Sequence, residues 1–592
     1  MRHCKRSEAI FSIQKRKFIF DQITAAMIFK NGTLIISFLL SCFFSRAQVS
    51  PLNYSQQKKI TCNKAAVVCA HPLASNAGLQ MLKQGGNAFD AAIATQLALA
   101  VVYPGAGNLG GGGFMVAHLK NGKNISLDYR EMAPEKASRD MYLDKDGNPI
   151  PTLAQQGHLA CGVPGTVAGL FAELKYARLD IKKLIAPAIK LAEKGFMITA
   201  GQAKSLNDTR ATFIKVNKNP VAFVKETEWK EGDTLIQPEL ASTLKRIRDK
   251  GIKGFYEGIT AKYIVDEMHA GNGIISLDDL KNYTAKERAV INFDYKGYKI
   301  IGMGLPSSGG IILQQMMKMV EQRNIAAMGF QTATSVQLMV EAERRAYADR
   351  ANFLGDADFI KVPLKTLLSN AYLTQRMNDY EPGKAGNSKS TGAGIVHESE
   401  ETTHISIIDN EGNAIAITTT LNDSYGSKTV VTGAGFILND EMDDFSIKEG
   451  FPNLYGAVGN AANAIAAHKR MLSSMAPTIV LKNNKPYIVV GSPGGTTITT
   501  TVFQTLMNLL EFKLSPEDAV NKAKFHHQWL PDLIDVEKTF PVDISNRLEQ
   551  MGYTVRTRLP IGRTELIVVD LTKIKKITAV ADSRGDDDAQ GF

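Results

Sequence analysis

Cysteine is scarce in this chain of 592 residues: there are five, and two of them, Cys4 and Cys42, fall within the first 47 positions. Cys62, Cys69 and Cys161 remain, an odd number with no CxxC spacing, which excludes a disulfide framework and a thiolate zinc site. Pairing of Cys62 with Cys69 stays open for an oxidising compartment, and a buried free thiol is the expectation for each. A membrane-spanning run is missing too. The apolar stretch Thr33 to Phe44 is too short to cross a bilayer. With Lys30 before it and Ser45-Arg46-Ala47 after it, the stretch reads as a secretory signal peptide cut after Ala47. Residues before Met27 do not fit that signal, so Met27 is the expected initiator. Leu39-Leu40-Ser41-Cys42 fits a lipoprotein box less well, because Leu40 is a poor fit just before the small residue.

A basic stripe is also absent. The formal charge is +10, but residues 1–47 carry +6 of it, eight Lys or Arg against Glu8 and Asp21, leaving +4 for the rest. That is a weak field over a large surface, with no basic, aromatic-interleaved patch, and it excludes nucleic acid as a partner. Two further motifs do not carry the chemistry they suggest. Gly105 to Gly110 matches GxGxxG with Asp128 downstream, yet a helix precedes it and more glycines follow, so it reads as a tight loop where backbones approach closely. His526-His527 are neighbours that do not converge on one helix face, and no acidic residue is spaced to complete a metal site.

What is present is the ordinary composition of a large globular protein, 44% hydrophobic and 22% charged. Ala65 to about Val102 reads as helical and ends at Pro104. Ala333 to Asn352 reads as a long charged helix whose Glu341, Glu343, Arg344, Arg345, Asp349 and Arg350 make a solvated face or a subunit contact. Pro382 to Gly394 reads as a flexible loop. Just after it comes Glu398-Ser399-Glu400-Glu401-Thr402-Thr403-His404, followed by apolar residues to Ile408, the turn Asn410 to Asn413 and the apolar run Ala414 to Thr420: a β-hairpin apolar on both faces, which suits a sheet covered on both sides. Taken blandly, Thr402-Thr403 begins a strand. If the backbone is cut before Thr402, however, one residue carries a hydroxyl nucleophile and an α-amine base with an ordinary pKa of roughly 8. Downstream, Gly491-Ser492-Pro493-Gly494-Gly495 follows a strand, and its glycines free N–H groups to meet an anion or developing oxyanion.

Taken in order, these segments resemble the γ-glutamyltransferase family of N-terminal nucleophile hydrolases. The motifs are Gly85-Gly86-Asn87-Ala88 with Asp90-Ala91-Ala92, Gly107-Asn108-Leu109 and the glycines to Gly113 with Phe114-Met115, Asp128-Tyr129-Arg130-Glu131-Met132-Ala133-Pro134, and Gly162-Val163-Pro164-Gly165-Thr166. They continue with Pro306-Ser307-Ser308-Gly309-Gly310, Thr402-Thr403-His404, Met442-Asp443-Asp444-Phe445, Leu472-Ser473-Ser474-Met475 and Gly491 to Gly495. Each alone is weak; the ordered set is highly specific.

The resemblance implies an α+β fold, a four-layer αββα sandwich, made as a precursor that cleaves itself between Glu401 and Thr402. Residues 48–401 would form the large subunit and 402–592 the small one, interwoven as a heterodimer in one fold. It implies Thr402 as nucleophile, Thr420 orienting it, and Gly494 and Gly495 as the oxyanion hole, with no cofactor or metal. For a γ-glutamyl group, Arg130 with Ser473 and Ser474 would take the α-carboxylate; Asp444, Glu441 and Asn422 would take the α-ammonium. Phe451 to Gly456 matches a lid loop gated by Tyr455. The expected activity is cleavage of glutathione and related γ-glutamyl compounds through an ester on Thr402, with transfer to water or to an amino acid or peptide amine, in a protein exported to the periplasm or beyond the cell. The competing readings are a cephalosporin (glutaryl) acylase of the same superfamily and an inactive, uncleaved binding homologue.

Overall fold

The computed structural model describes residues 50–388, 402–570, 572 and 575–592; the leader 1–47, Met27 and Glu401 lie outside them. The hairpin expected after Thr402 forms. Strands Thr403–Ile408 and Ala414–Thr420 pair antiparallel, with Ile405 opposite Ile417 and Ile407 opposite Ile415. Asp409 closes the turn, its Oδ1 accepting from the N–H groups of Glu411 and Asn413, both at 2.9 Å. Every residue of both strands is buried. Each isoleucine so placed contributes about 1.5–3 kcal/mol of apolar burial, which forces the hairpin into the middle of a sheet.

That sheet has seven antiparallel strands in the order Asp588–Gly591, Ala66–Cys69, Thr403–Ile408, Ala414–Thr420, Gly112–His118, Asn124–Asp128, Lys286–Arg288. A second seven-stranded antiparallel sheet runs Lys59–Cys62, Lys576–Val580, Glu565–Asp570, Lys485–Gly491, Thr478–Lys482, Tyr298–Gly302, Ile291–Tyr295. The two face each other through the hairpin and Lys485–Gly491. Helices Pro72–Lys83 and Ala88–Val102 cover the first sheet, and Gly309–Glu321 and Thr497–Leu510 the second. The result is the four-layer αββα arrangement. Each sheet takes strands from both sides of position 402, so backbone ladders join the two stretches of chain throughout the core.

Three local expectations change. The continuous helix read over Ala65 to Val102 is a strand, Ala66–Cys69, and then two helices. A four-residue apolar run such as Ala-Val-Val-Cys carries no period of its own, and its neighbours in the sheet decide it. The second helix starts where the sequence placed its cap: Asn87 Oδ1 accepts from Phe89 N–H at 2.9 Å, and Asp90 returns a bond to Asn87 N–H at 2.7 Å. Cys62, Cys69 and Cys161 are free; Cys62 is half-buried on an edge strand rather than fully enclosed, while burial pushes the Cys161 thiol up to about 12.

The third change is the helix Ala333–Phe353. Its charges are buried, not solvated. Glu341 pairs with Arg344 at 3.3 Å and Arg345 at 2.5 Å, and its Oε1 also accepts from Tyr553 Oη at 2.6 Å and Gly386 N–H at 3.0 Å. Asp349 accepts from Gln315 Nε2 and Tyr372 Oη, both at 2.9 Å. Charge runs normally mark a wet face, but here the charges are enclosed and met by partners within the helix and from other elements, Arg350 by Ser308 Oγ. Of the loop read over Pro382 to Gly394, the described part up to Ser388 is fastened to this network, Ser388 N–H donating to Asp532 at 2.8 Å.

Removing Glu341 strips one anion from two buried arginines. Glu341→Ala is expected to destabilise the protein by about 3–5 kcal/mol, read from urea unfolding; a loss below about 1 kcal/mol would count against a closed buried network.

Candidate active site

The hairpin register builds the centre of the site. Because Thr403 pairs with Thr419, continuing the ladder by one step sets Thr402 against Thr420 at the open end. Thr402 is 4% exposed, and its Oγ1 points to Thr420 Oγ1 at 3.5 Å, the long limit of a hydrogen bond. Thr420 Oγ1 in turn accepts from Asn422 N–H at 2.8 Å. Asn422 sits at φ 82°, a left-handed conformation that asparagine tolerates. Thr402, not Thr403, lines the adjoining cavity. His404 offers no base: it is fully buried between Thr418 Oγ1 at 2.8 Å and Ser406 Oγ at 3.2 Å, and desolvation pushes its pKa down to about 3.

The Gly-rich loops bring backbones against this end of the sheet. A Cβ on Gly111 would lie 2.2 Å from Thr420 O, and one on Gly110 2.2 Å from Ile437 O, which is the close approach inferred from the run of glycines. Gly494 and Gly495 link Lys485–Gly491 to the helix Thr497–Leu510 with φ of 132° and 52°. The helix start supplies the positive end of a dipole there, and Gly494 O accepts from Thr497 N–H at 2.9 Å and Oγ1 at 2.7 Å. Gly495 borders the cavity, whereas Gly494 is not among the residues that line it.

Opposite lies a buried charge cluster. Arg130, 1% exposed, ion-pairs with Glu441 at 2.5 Å and with Asp444, and Glu131 lies 3.7 Å away. Glu441 and Asp444 sit three apart on a 3₁₀ turn, Glu441–Asp444, so both carboxyls face the same way. Burial opposes the Arg130 charge, yet Glu441 and Asp444 hold its pKa above the usual range. Desolvation raises Glu131 to about 8 and pushes Glu441 and Asp444 upward. Three buried carboxyls around one guanidinium therefore share fewer than three negative charges at neutral pH. Ser473 Oγ accepts from Met475 N–H at 3.1 Å, which leaves its own proton to donate. Ser474 borders the same cavity.

Tyr455 closes the space. Its Oη donates to Asn422 O, and its ring packs so tightly on Gly495 that a Cβ there would lie 2.4 Å from Tyr455 Cδ1. Asn453 fastens this loop to the charges, its Nδ2 donating to Asp444 Oδ1 at 2.7 Å while its Oδ1 accepts from the N–H groups of Tyr455 and Ala457. The free volume enclosed is about 20 Å³, room for roughly one water. A larger cavity of about 320 Å³ lies between Tyr103, Gln202, Tyr425, Arg563 and Asp586 and contains none of the expected residues. Chemistry, not size, selects the smaller one: it joins a hydroxyl pair, a glycine turn at a helix start and a paired cation–anion cluster.

The sequence-predicted residues thus converge, apart from Glu401, which lies outside the described residues. Two residues at the site were not singled out from sequence. Asn453 was read only as part of the loop. Arg350, read as part of a solvated face, lines the cavity from the buried helix; the alanines at 342, 346, 348 and 351, spread around that helix, were the available sign that it is enclosed.

A family model described as gamma-glutamyltranspeptidase matches residues 74–592. The chain is 43% identical over 540 residues to the glutathione hydrolase proenzyme of Escherichia coli (strain K12), covering 89% of this chain and 93% of that protein. Among solved structures, Helicobacter pylori gamma-glutamyltranspeptidase is 46% identical with a TM-score of 0.53, covering 53% of this chain and 91% of that chain. A cephalosporin acylase from Bacillus halodurans superposes with a TM-score of 0.79 at 24% identity, covering 93% and 99%, and shares the fold.

The Tyr455–Gly495 contact is testable directly. Gly495→Ala should push the ring aside and break the bond to Asn422. Losing about 1.4 kcal/mol of loop closure should raise limited proteolysis within residues 448–459 about tenfold; an unchanged rate would show that the ring does not hold the loop.

Proposed function

Because this chain belongs to the gamma-glutamyltranspeptidase family, we propose that it is a self-cleaving γ-glutamyl hydrolase and transpeptidase acting on glutathione and related γ-glutamyl compounds. The observation that carries the reading is the Thr402–Thr420 pair at one wall of a cavity whose other wall is the Arg130–Asp444–Glu441 cluster. One wall suits acyl transfer; the other suits a head group with a carboxylate and an ammonium on one carbon.

In this reading the bond between Glu401 and Thr402 is cut first: Thr402 Oγ attacks the Glu401 carbonyl, the acyl group shifts to an ester, and water releases it. Residues 48–401 and 402–592 then remain together, and the strands each stretch contributes to both sheets support that. The freed α-amine of Thr402 takes the hydroxyl proton as Oγ attacks the γ-amide carbon, general-base help worth about 10²–10⁴-fold. The oxyanion forms toward the N–H groups of Gly494 and Gly495, where one donor is worth about 10²–10³ in kcat. The leaving amine departs with the proton, and water or an acceptor amine resolves the ester. Thr420 Oγ1 accepts from Asn422 N–H and from Thr402 Oγ1, and so orients the Thr402 hydroxyl.

The head group decides against the acylase alternative. A glutaryl chain has no ammonium, and would leave Asp444 and Glu441 facing its methylenes, an uncompensated burial of polar groups. Arg130 with Ser473 and Ser474 suits the carboxylate; Asp444, Glu441 and Asn422 suit the ammonium. Tyr455 acts as the gate. The leader at 1–47 supports export to the periplasm or beyond, and among the described residues no helix is long and apolar enough to cross a membrane.

Purified wild type is expected to run as two bands on a denaturing gel and to release anilide from γ-glutamyl-p-nitroanilide, whereas Thr402→Ala stays one band and loses about 10⁴-fold or more of kcat/KM. A single-band wild type with no activity would favour the uncleaved binding homologue; an active Thr402→Ala would end the mechanism.

A further inference from the structure

Arg350 is a buried charge bordering the cavity that the mechanism above does not use. It projects from the helix Ala333–Phe353, is 6% exposed, and borders the same cavity as Thr402 and Arg130. Its Nε donates to Ser308 Oγ at 3.1 Å, and among the described residues its guanidinium has no other hydrogen bond and no ion pair. Buried arginines elsewhere in the protein are answered by carboxylates: Arg344 and Arg345 by Glu341, Arg130 by Glu441, Arg470 by Asp128. Enclosing an arginine whose terminal nitrogens form no ion pair is costly; desolvation lowers its pKa against the opposing field of Asp444, which is itself paired with Arg130, and the guanidinium remains charged at neutral pH.

The anchor of Arg350 leads to the expected carboxylate subsite. Ser308 Oγ, which accepts from Arg350 Nε, donates to Ser473 O at 2.7 Å, and Ser308 N–H donates to the same carbonyl at 2.8 Å. This holds the guanidinium beside the Ser473-Ser474 pair with its Nη edge uncommitted. Arg130, by contrast, is engaged by Glu441 and Asp444. The Arg130 cluster alone therefore presents no net positive charge to an incoming carboxylate. Arg350 supplies it.

The geometry points to Arg350 as a second cation for the donor's α-carboxylate, its Nη atoms taking the carboxylate together with Arg130 while Glu441 and Asp444 turn to the α-ammonium. This inference deepens the γ-glutamyl reading and rests on it. Arg350 is then a specificity residue: it discriminates donors that carry the α-carboxylate from those that do not.

The test compares γ-glutamyl-p-nitroanilide with 4-aminobutyryl-p-nitroanilide, which keeps the ammonium and lacks the carboxylate. Arg350→Gln is expected to raise KM for the first about tenfold or more, the value of one charge-assisted pair of about 1.4 kcal/mol, and to change kcat/KM for the second less than twofold. Arg350→Lys should recover part of the loss on the first substrate alone. Ser308→Ala, which removes the anchor of the Arg350 side chain and the hydroxyl bond to Ser473 O while keeping the Ser308 N–H bond to that carbonyl, should raise KM for the γ-glutamyl substrate by about threefold with the same selectivity, and it keeps the question answerable if Arg350→Gln does not fold. Equal losses on both substrates, or no change in KM, would overturn the assignment and leave Arg350 a structural residue. A wild type inactive on γ-glutamyl-p-nitroanilide would instead overturn the functional reading, and this inference with it.

Discussion

One constraint organises the molecule: the antiparallel register that sets Thr402 against Thr420 at the open end of a hairpin buried on both faces. A slip of one residue would turn every side chain of the hairpin to the opposite face, and here neither face is open to solvent. The apolar packing of Ile405, Ile407, Ile415 and Ile417 between two layers therefore fixes the position of a hydroxyl to a fraction of a residue. Because the flanking strands come from both sides of position 402, the same ladders that position the hydroxyl also keep the two stretches of chain together after a cut. In the proposed reading, placement of the nucleophile and cohesion of the cut chain have one physical source.

The polar half of the site depends on that rigid end. Gly110, Gly111 and Gly112 let their loop lie against Ile437, Thr420 and Tyr129 carbonyls at distances no larger residue permits, and this brings Arg130, two residues beyond Asp128 at the end of its strand, across from Thr402. The 3₁₀ turn Glu441–Asp444 then presents two carboxyls to one guanidinium. Such a cluster is not there for stability; a buried ion pair replaced by apolar groups is often neutral or better. Its use is orientation: each charge is held by its opposite until a ligand bearing both signs offers a substitute for each.

What was legible in the sequence follows from the kind of signal each feature carries. The hairpin was readable because two apolar β-branched runs flank a short turn with glycine, a local pattern. The residues Arg130, Asn422, Glu441, Asp444, Ser473 and Ser474, spread over more than 300 positions, became readable only as ordered motifs resembling a family, since no spacing rule links them. The strand Ala66–Cys69 reads as helix from sequence because four apolar residues have no measurable period. The helix Ala333–Phe353 was taken for a wet one because charge is a good predictor of exposure only when no partners exist, and its partners Tyr553, Asp532 and Ser308 are remote in sequence. Arg350 belongs to that helix, and its approach to the site is hidden in sequence for the same reason.

The tightness of the site sets how it must work. About 20 Å³ of free volume lies beside Tyr455, so in the proposed reading a donor's entry involves Tyr455 leaving Asn422 O and a shift of the Asn453 link to Asp444. Opening costs at least those two hydrogen bonds, about 1–3 kcal/mol together, which places the open form at roughly 1–20% of molecules at equilibrium and weakens apparent binding by the same factor. In the proposed reading a donor recovers this only through interactions made after entry, above all those of its carboxylate and ammonium with charges that are otherwise paired to each other or, for Arg350, held only by Ser308. The loop anchored by Asn453 on Asp444 would then couple the two events directly: the carboxylate proposed to receive the ammonium is the same one that fastens the Tyr455 loop, so binding of the head group and movement of the loop draw on a single side chain.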